Sequence, residues 1–332
     1  MGNIDFLCIG NAIVDVFAGV DSAFLQQHVI HKPVQHIEPE HAQRILAALG
    51  TYTLRSGGGA ANAAKAAAAL GSSAAFCGCT GNDKTAEYFR NELVKTGVIP
   101  ILTTGKAPTG ICFILNNGTE TRIAASAAAA LELNEDCISE QTIKSAQMLV
   151  LDGYLLDRQE LVSHIFQITD KLGIPVSLDA ASVFTTRNNA AIVMRYCLNY
   201  RIVLFMNADE SIAFYQGSTG SSGEADNVSE AEKEQFIISR VCPVLQEIAA
   251  GDFPVIVIKL GSQGALAISR GKIYREETQA IDAGSTIGAG DTFCAGFLAA
   301  WIKDKSIGEC LRQGNEAAWE LIMRNKGIDR GN

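Results

Sequence analysis

Residues 202–210 read Ile-Val-Leu-Phe-Met-Asn-Ala-Asp-Glu, an apolar run that passes directly into polar and acidic side chains. The apolar part does not alternate with polar residues, which is typical of a strand covered on both faces in a parallel sheet. Phe6–Ile9, Met148–Leu151 and Val255–Ile258 have the same character. This stretch therefore predicts a strand of a buried parallel sheet, with polar groups at its carboxyl end.

Helical patterns alternate with these strands along the chain. Apolar spacing predicts helices over Ala60–Leu70, Gln159–Leu172, Glu232–Ala249 and Ile307–Arg324, among others. Repeated β-α units predict a doubly wound α/β fold with a mostly parallel sheet, in which ligands bind beyond the carboxyl ends of the strands. A length of 332 residues fits a single domain that spans residues 1–332.

Two segments in the first half interrupt this alternation. Ile13–His36 is too long for a simple βα loop, and Ile111–Ile123 reads as a hairpin around the turn Asn116-Asn117-Gly118. We expect the two segments to pair as a small β lid over the site, built from about 13–50 and 101–126.

Composition limits the classes of partner. The net charge of −9 and the absence of a Lys/Arg stripe argue against nucleic acid. No apolar run reaches about 18 residues and no basic segment opens the chain, so we expect no membrane contact and a cytoplasmic location. The nine cysteines suit reduced, buried thiols, and neither Cys77/Cys79 nor the histidines between His28 and His41 match a metal-ligand spacing. A monomer and a homodimer both remain open.

The segment Gly288-Ala289-Gly290-Asp291 begins a predicted helix and indicates an anion site. Small residues let backbone N–H groups approach a ligand closely, and the helix dipole adds positive charge there. An aspartate would repel a resting phosphate, but as a general base it could accept the proton of an attacking hydroxyl during phosphoryl transfer. The alternative is a tight turn in which Asp291 is the helix N-cap.

Two further motifs place polar groups near predicted strand ends. Asn11 and Asp15 follow the first strand and suit a polyol, since a carboxylate accepts from hydroxyls and an amide both donates and accepts. The alternative is that Asn11 forms a turn and Asp15 is a solvated charge. Gly57-Gly58-Gly59 with Asn62 opens the alanine-rich helix, where it indicates either close ligand approach or a flexible turn.

Asn207 and Glu210 could hold Mg²⁺ through water or could equally cap a helix. The run from Lys259 to Gly264 contains glycines of the kind found in nucleotide loops. The sequence has neither a G-x-x-x-x-G-K-[ST] motif nor a dinucleotide fingerprint, which excludes a P-loop and disfavours a nicotinamide dehydrogenase.

These motifs stand in the order found in the ribokinase-like (PfkB) sugar and nucleoside kinases, which the chain resembles over essentially its whole length. They are Gly10–Asp15, Gly57–Asn62, Asn207–Glu210, Gly261–Gly264 and Gly288–Asp291. The resemblance implies a doubly wound α/β domain with a β lid, and transfer of phosphate from MgATP to a primary alcohol.

The resemblance also implies a role for each motif. Asp291 would be the base, and Gly288, Ala289 and Gly290 the anion hole. The sugar would be held by Asn11, Asp15, Gly58, Gly59 and Asn62. Asn207 and Glu210 would organise Mg²⁺, Glu210 through water, and ATP would be bordered by Asn207, Lys259, Gly261, Gly264 and Asn315.

Within the family the chain is most similar to the adenosine-kinase-like branch, through Gly10–Val16, Asp152–Asp157 and Cys310–Ala318. Tyr154 is then the candidate wall for a purine, and Arg122 in the lid hairpin resembles the branch's phosphate-facing arginine. The alternative for Tyr154 is a place in the core.

One departure concerns the residues before Gly288. The family usually has Asp-Thr-Thr there, whereas this chain has Ser285-Thr286-Ile287, with Asp282 three residues upstream. Activation by a monovalent cation is therefore left open. We expect an ATP-dependent nucleoside kinase with adenosine favoured; a kinase of ribose or a ketohexose and a catalytically silent binding protein are the alternatives.

Overall fold

The computed structural model describes residues 4–221, 228–230, 232–279 and 286–326. Its strands are β1 (Ile4–Ile9), β2 (Ile13–Gly19), β3 (Val34–His36), β4 (Thr53–Gly57), β5 (Ala74–Thr80), β6 (Ile99–Thr104), β7 (Gly110–Asn116), β8 (Thr121–Ser126), β9 (Ala146–Asp152), β10 (Val176–Asp179), β11 (Ile202–Asn207), β12 (Val255–Lys259), β13 (Ala265–Ser269) and β14 (Lys272–Glu276).

The α-helices are α1 (Ser22–Gln27), α2 (Pro39–Ala48), α3 (Gly59–Ala69), α4 (Lys84–Lys95), α5 (Glu140–Lys144), α6 (Gln159–Leu172), α7 (Val183–Asn199), α8 (Ala208–Thr219), α9 (Lys233–Phe236), α10 (Cys242–Ile248), α11 (Ala289–Trp301) and α12 (Ile307–Asn325). A π-helical turn, Ile237–Val241, joins α9 to α10, so the single helix predicted over 232–249 is interrupted.

The large sheet has nine strands in the order β14-β13-β12-β11-β10-β9-β1-β5-β6. The seven strands from β12 to β6 are parallel, and β13 and β14 add an antiparallel hairpin at one edge. Strands β9, β10, β11 and β12 follow one another towards one edge of the sheet, whereas β1, β5 and β6 follow one another towards the other edge. The direction in which strands are added therefore reverses between β1 and β9. The predicted doubly wound, mostly parallel sheet is confirmed, and this reversal marks where such folds bind ligands.

Helices cover both faces of the large sheet, which is why its strands are continuous apolar runs. Alternate side chains of β1 belong to different cores: Leu7 lies in the core that includes residues of α6, α7 and α10, and Phe6 in the core that includes residues of α3, α4, α11 and α12. No described helix is both long and apolar enough to cross a membrane. All nine cysteines lie among the described residues as free thiols.

The small sheet has the order β3-β8-β7-β2-β4, and α1 and α2 pack against it through Leu25 and Ile45. The predicted hairpin is formed by β7 and β8, and β2 pairs in parallel with β7. The segments predicted to form a lid, about 13–50 and 101–126, do not coincide with the bounds of the small sheet, and we call the five strands of that sheet the lid. Thr53–Gly57 pairs with β2 and belongs to the small sheet, whereas Ile99–Thr104 follows α4 and pairs with β5 in the large sheet.

Candidate active site

Four neighbouring parallel strands end in polar side chains at one edge of the large sheet. β9 ends in Asp152, β10 in Asp179, β11 in Asn207 and β12 in Lys259, with Asp152 opposite Asp179 and Asn207 opposite Lys259 in the strand register. Asn207 and Lys259 were predicted from the sequence. Asp179 was missed, although an acid directly after the apolar run 176–178 is a signal of the same kind.

The amino terminus of α11 opens onto this edge. Gly288 is its N-cap in a left-handed conformation, with φ +79°, and Asp291 lies in the first helical turn. The alternative in which Asp291 is the N-cap is therefore wrong. No side chain among the described residues caps this end, and Ala289 N–H donates to Thr286 O at 3.0 Å. The positive end of the helix dipole is therefore not occupied by a capping side chain of the described residues.

Lys259 brings a fixed cation to the same place. Its Nζ lies 2.8 Å from Asp179 Oδ2. A Cβ built on Gly290 would lie 3.5 Å from Lys259 Nζ. Burial alone would lower the pKa of Lys259, but the adjoining Asp179 carboxylate raises it well above its ordinary value. The side chain is therefore an ammonium at the start of α11.

Asp291 is held between opposing influences. Burial and the nearby Asp179 raise the pKa of Asp291 to about 7, while Lys259 and a hydrogen bond from the Asn62 side chain act to lower it. Asn62 reaches it from the first turn of α3. A carboxylate whose pKa is near neutrality suits a general base that takes a hydroxyl proton.

Asn11 is fixed by a residue that the sequence did not reveal. Its Oδ1 accepts a hydrogen bond of 2.6 Å from Arg158 Nη2, and Arg158 Nη1 donates to Ala130 O at 2.7 Å. A lone arginine before a helix has no motif that would have indicated this role. Asn11 is thus oriented by a side chain rather than only forming a turn.

Asp15, on β2 of the lid, is not a solvated charge. Burial raises its pKa to about 6, against the lowering influence of Lys65 and Arg55. A Cβ on Gly57 would lie 2.5 Å from Asp15 Oδ1, so the glycine lets the carboxylate lie against the backbone. Gly58, with φ +89°, leaves room for the Asn11 carbonyl in the same way. Gly57 and Gly58 therefore make room for two polar groups of the protein itself, the Asp15 carboxylate and the Asn11 carbonyl.

Asp152 is buried at the reversal of strand order, with 4 % of its surface exposed. Its Oδ1 accepts from Tyr154 N at 3.1 Å, whereas Oδ2 has no hydrogen-bond partner among the described residues. A Cβ on Gly59 would stand 3.6 Å from that oxygen. Burial, above all, raises the pKa of Asp152 to about 6.

Tyr154 follows Asp152 in a short 3-10 helix and is 46 % exposed, so it is not a core residue. Burial raises the pKa of Tyr154, and so does the charge of Asp152, whereas a hydrogen bond from Ser182 acts in the opposite direction. Cys112 on lid strand β7 is also close enough to act on it. The ring thus follows the carboxyl end of β9 and is partly open to solvent.

The predicted nucleotide residues line one cavity of 410 Å³ beside the start of α11. Asn315 is fixed there by a hydrogen bond from its Nδ2 to Glu276 O, at 3.1 Å. The structure brings together the following predicted residues in its wall: Asn207, Lys259, Gly261, Gly264, Ala289, Gly290 and Asn315.

Asn207 and Glu210 form a reciprocal helix cap, which was the alternative interpretation of this motif. Asn207 Oδ1 accepts from Glu210 N at 2.8 Å, and Glu210 Oε2 accepts from Asn207 N at 2.7 Å. Burial and the neighbouring Asp179 raise the pKa of Glu210. No group of three potential metal ligands occurs in the described part of the chain. Asp179 and Glu210, whose charges influence each other, offer carboxylate oxygens of the kind that a hydrated Mg²⁺ takes.

Arg122 is not brought to this site. Its Nη1 donates to His31 O at 2.9 Å, and its Nη2 pairs with Glu120 at 2.7 Å. It stands opposite Leu115 in the hairpin, three ladder positions beyond Cys112, the partner of Asp15. Asp282 and Ser285 lie outside the described residues.

A model of the pfkB family of carbohydrate kinases matches residues 29–329. The chain belongs to this family. It is 23% identical to adenosine kinase of Dictyostelium discoideum, with 98% of this chain and 96% of that protein aligned. It is 28% identical to ribokinase of Haemophilus influenzae over 83% of each. The crystal structure of adenosine kinase from Sinorhizobium meliloti superposes with a TM-score of 0.79 at 24% identity, covering 97% and 94% of the two chains, which shows the shared fold.

The protein is accordingly a phosphotransferase of the sugar and nucleoside kinase class. The 410 Å³ cavity adjoins the amino terminus of α11, where Asp291 and Lys259 lie. Lys259 supplies a fixed positive charge there, and the Asp291 carboxyl has a pKa of about 7.

Proposed function

We propose that this pfkB-family kinase transfers the γ-phosphoryl group of ATP to the primary, 5′-type hydroxyl of a nucleoside, with adenosine as the preferred acceptor. The observation that carries the choice of acceptor is the half-exposed ring of Tyr154, two residues after Asp152 at the carboxyl end of β9. A purine presents a flat apolar face that an aromatic wall can cover, whereas a free sugar does not.

The reaction follows from the arrangement at α11. The acceptor hydroxyl gives its proton to Asp291 while its oxygen forms a bond to the γ-phosphorus, and the bond from that phosphorus to the β-γ bridging oxygen breaks to release ADP. The Lys259 ammonium and the first-turn N–H groups of α11 stabilise the charge on the phosphoryl oxygens.

ATP occupies the 410 Å³ cavity in this proposal, with Asn315, Gly261 and Gly264 at its wall. Asp179 and Glu210 would hold a hydrated Mg²⁺, which supplies charge neutralisation on the phosphates when bound. Glu210 has one carboxylate oxygen engaged in the α8 cap, so it would act through water.

Asn11, Asp15 and Asn62 grip the ribose hydroxyls. The close fit of Asp15 against Gly57 and of Asn11 against Arg158 orients these groups before the acceptor arrives. Such preorganisation reduces the entropy that binding must otherwise offset.

A free-sugar kinase is the second candidate, favoured by the higher identity to a ribokinase, 28%, than to an adenosine kinase, 23%. A silent binding protein is disfavoured because Asp291 keeps the environment of a base, with a pKa of about 7 beside an ammonium.

The deciding experiment compares adenosine, ribose and a ketohexose as acceptors with MgATP, measuring ADP release and identifying the product. We expect adenosine to give the highest kcat/KM. A higher kcat/KM for ribose or the ketohexose replaces the nucleoside assignment with the free-sugar one. ATP-dependent stabilisation against heat without turnover of any acceptor would favour the binding protein.

A further inference from the structure

Lys65 connects the lid to α3, the helix whose Asn62 side chain contacts Asp291. It lies on α3, one turn after Asn62, and its Nζ donates to Ser56 O at 2.5 Å and to Ser56 Oγ at 3.0 Å. Ser56 belongs to lid strand β4, where it pairs with Val14 of β2. One ammonium therefore joins the edge strand of the lid to the large-sheet side of the site.

The charged groups around Lys65 come from several elements. Asp15 on β2 and Asp291 on α11 both act on its pKa, as do Glu92 on α4 and Arg55 on β4. Burial lowers the pKa of Lys65, and the three carboxylates oppose this. Lys65 thus lies within electrostatic range of both the proposed acceptor-binding carboxylate and the proposed base.

The Asp15 carboxylate lies against Gly57, the residue that directly follows the Ser56 carbonyl to which Lys65 donates. This carboxylate is partly buried, and the positive charges that act on it are Lys65 first and Arg55 second, while the Cys112 thiol of β7 also faces it. Arg55 is exposed and its guanidinium lies over the Phe17 ring, 5.1 Å from the centroid, so solvent screens it more than Lys65.

We propose that Lys65 is a positioning residue with two coupled tasks: it holds lid strand β4 against α3, and it supplies the countercharge that keeps Asp15 ionised for binding the acceptor. The second task rests on the proposed function, because it assigns Asp15 to acceptor hydroxyls. The first task does not depend on the identity of the acceptor.

A structural tether alone would need only a hydrogen-bond donor, so charge and donor must be varied separately. Lys65→Gln keeps a donor and removes the charge, and Lys65→Arg keeps the charge. Ser56→Ala removes one acceptor of the tether and leaves the charge in place. Arg55→Gln is the matched control, since it removes the other cation near Asp15.

The charge test measures adenosine binding by calorimetry between pH 5 and 8.5 in the Asp291→Asn background, where the base no longer titrates. The acid limb is the pH range in which the affinity for adenosine falls as the pH drops. We expect Lys65→Gln to shift this fall to a pH about one unit higher. Binding is then about fivefold weaker near pH 6 and little changed at pH 8.5. Lys65→Arg should restore the limb, Ser56→Ala should not move it, and Arg55→Gln should move it less than Lys65→Gln. An acid limb unchanged in Lys65→Gln overturns the charge role.

The tether test needs no ligand and measures amide hydrogen exchange of the otherwise unaltered protein. We expect Lys65→Met to speed exchange in peptides covering Thr53–Gly57, and Ser56→Ala to do so to a smaller extent, while β1 and β9 stay protected. Unchanged exchange in Thr53–Gly57 overturns the tether. If the parent binds no adenosine, the nucleoside assignment fails, and the exchange result still decides whether Lys65 holds the lid.

Discussion

The Lys259 ammonium lies 2.8 Å from Asp179 Oδ2 at the carboxyl edge of the large sheet. The two side chains come from β12 and β10 and meet across the end of β11, beside the start of α11. Asp179 thus balances the charge of Lys259. In the proposed reaction a phosphoryl group would take Lys259 as its partner, and the Asp179 carboxylate would then be available to help hold a hydrated Mg²⁺.

Replacing Lys259 with Met should remove the fixed charge that opposes the developing phosphoryl charge. Loss of one preorganised electrostatic contact costs about 10²- to 10³-fold in kcat. Steady-state kinetics with saturating acceptor and ATP measures this. Lys259→Arg, which keeps the charge, should lose less, and a kcat of Lys259→Met within threefold of the parent would place Lys259 outside the reacting charges.

Asp291→Asn should preserve the fold and acceptor binding but lose about 10²- to 10⁴-fold in kcat, because an amide cannot accept the hydroxyl proton. In the parent, the base works only when ionised, so kcat/KM should fall as the pH drops below about 7. Asp209→Asn, which removes a carboxylate that is 53% exposed at the start of α8, is the control and should keep the parent profile. A parent profile that is flat from pH 5 to 8 would contradict the assignment.

The residues at α11 could be predicted from local sequence, because glycines, an acid and an apolar run at helical spacing lie within a few positions. The Asp179–Lys259 pair could not. The two residues are far apart in the chain, and they meet only because the strand order is β10-β11-β12.

The bounds of the lid illustrate the same limit. Ile99–Thr104 and Thr53–Gly57 are short strands of mixed polarity, so neither sequence indicates which sheet it joins. The βα crossover through α4 brings the first beside β5, and antiparallel pairing with β2 brings the second into the lid. The role of Arg158 could not be predicted either, because its hydrogen bond to Asn11 forms only when two loops distant in sequence come together.

Asp152→Asn should stabilise the free protein at pH 8 and have little effect near pH 4. The folded-state pKa of about 6 is above the ordinary 3.8, so the stability linked to this carboxyl is present below pH 4 and is lost as the pH rises through 6. The full difference is about 3 kcal/mol. Urea unfolding of parent and variant at both pH values measures it. A variant-to-parent difference that is equal at the two values would show that Asp152 is not a desolvated charge.

Asp15→Ala should weaken the binding of the acceptor and leave the binding of ATP unchanged. Removing the carboxylate leaves acceptor hydroxyls unpaired in a closed site, at a cost of about 1–3 kcal/mol. The loss should appear in kcat/KM for the acceptor, while the KM for ATP stays within twofold, as separate titrations of the two substrates will show. An equal rise in both KM values would assign Asp15 to the architecture of the lid.

Tyr154→Ala and Tyr154→Phe together test the class of acceptor. If the ring covers a purine, alanine removes apolar contact worth about 1–3 kcal/mol of adenosine binding, whereas phenylalanine keeps the ring and loses only the hydroxyl that Ser182 contacts. Ribose has no base, so any turnover of ribose should be almost the same in all three proteins. The measurement is kcat/KM for adenosine and for ribose in each. Because the ring is 46 % exposed in the free protein, its truncation removes little core packing, and a fall in adenosine turnover without a lower Tm reports the contact itself.

A parallel fall for adenosine and ribose would instead mean that Tyr154 supports Asp152 and the sugar end of the site, and the nucleoside assignment would lose the observation that carries it.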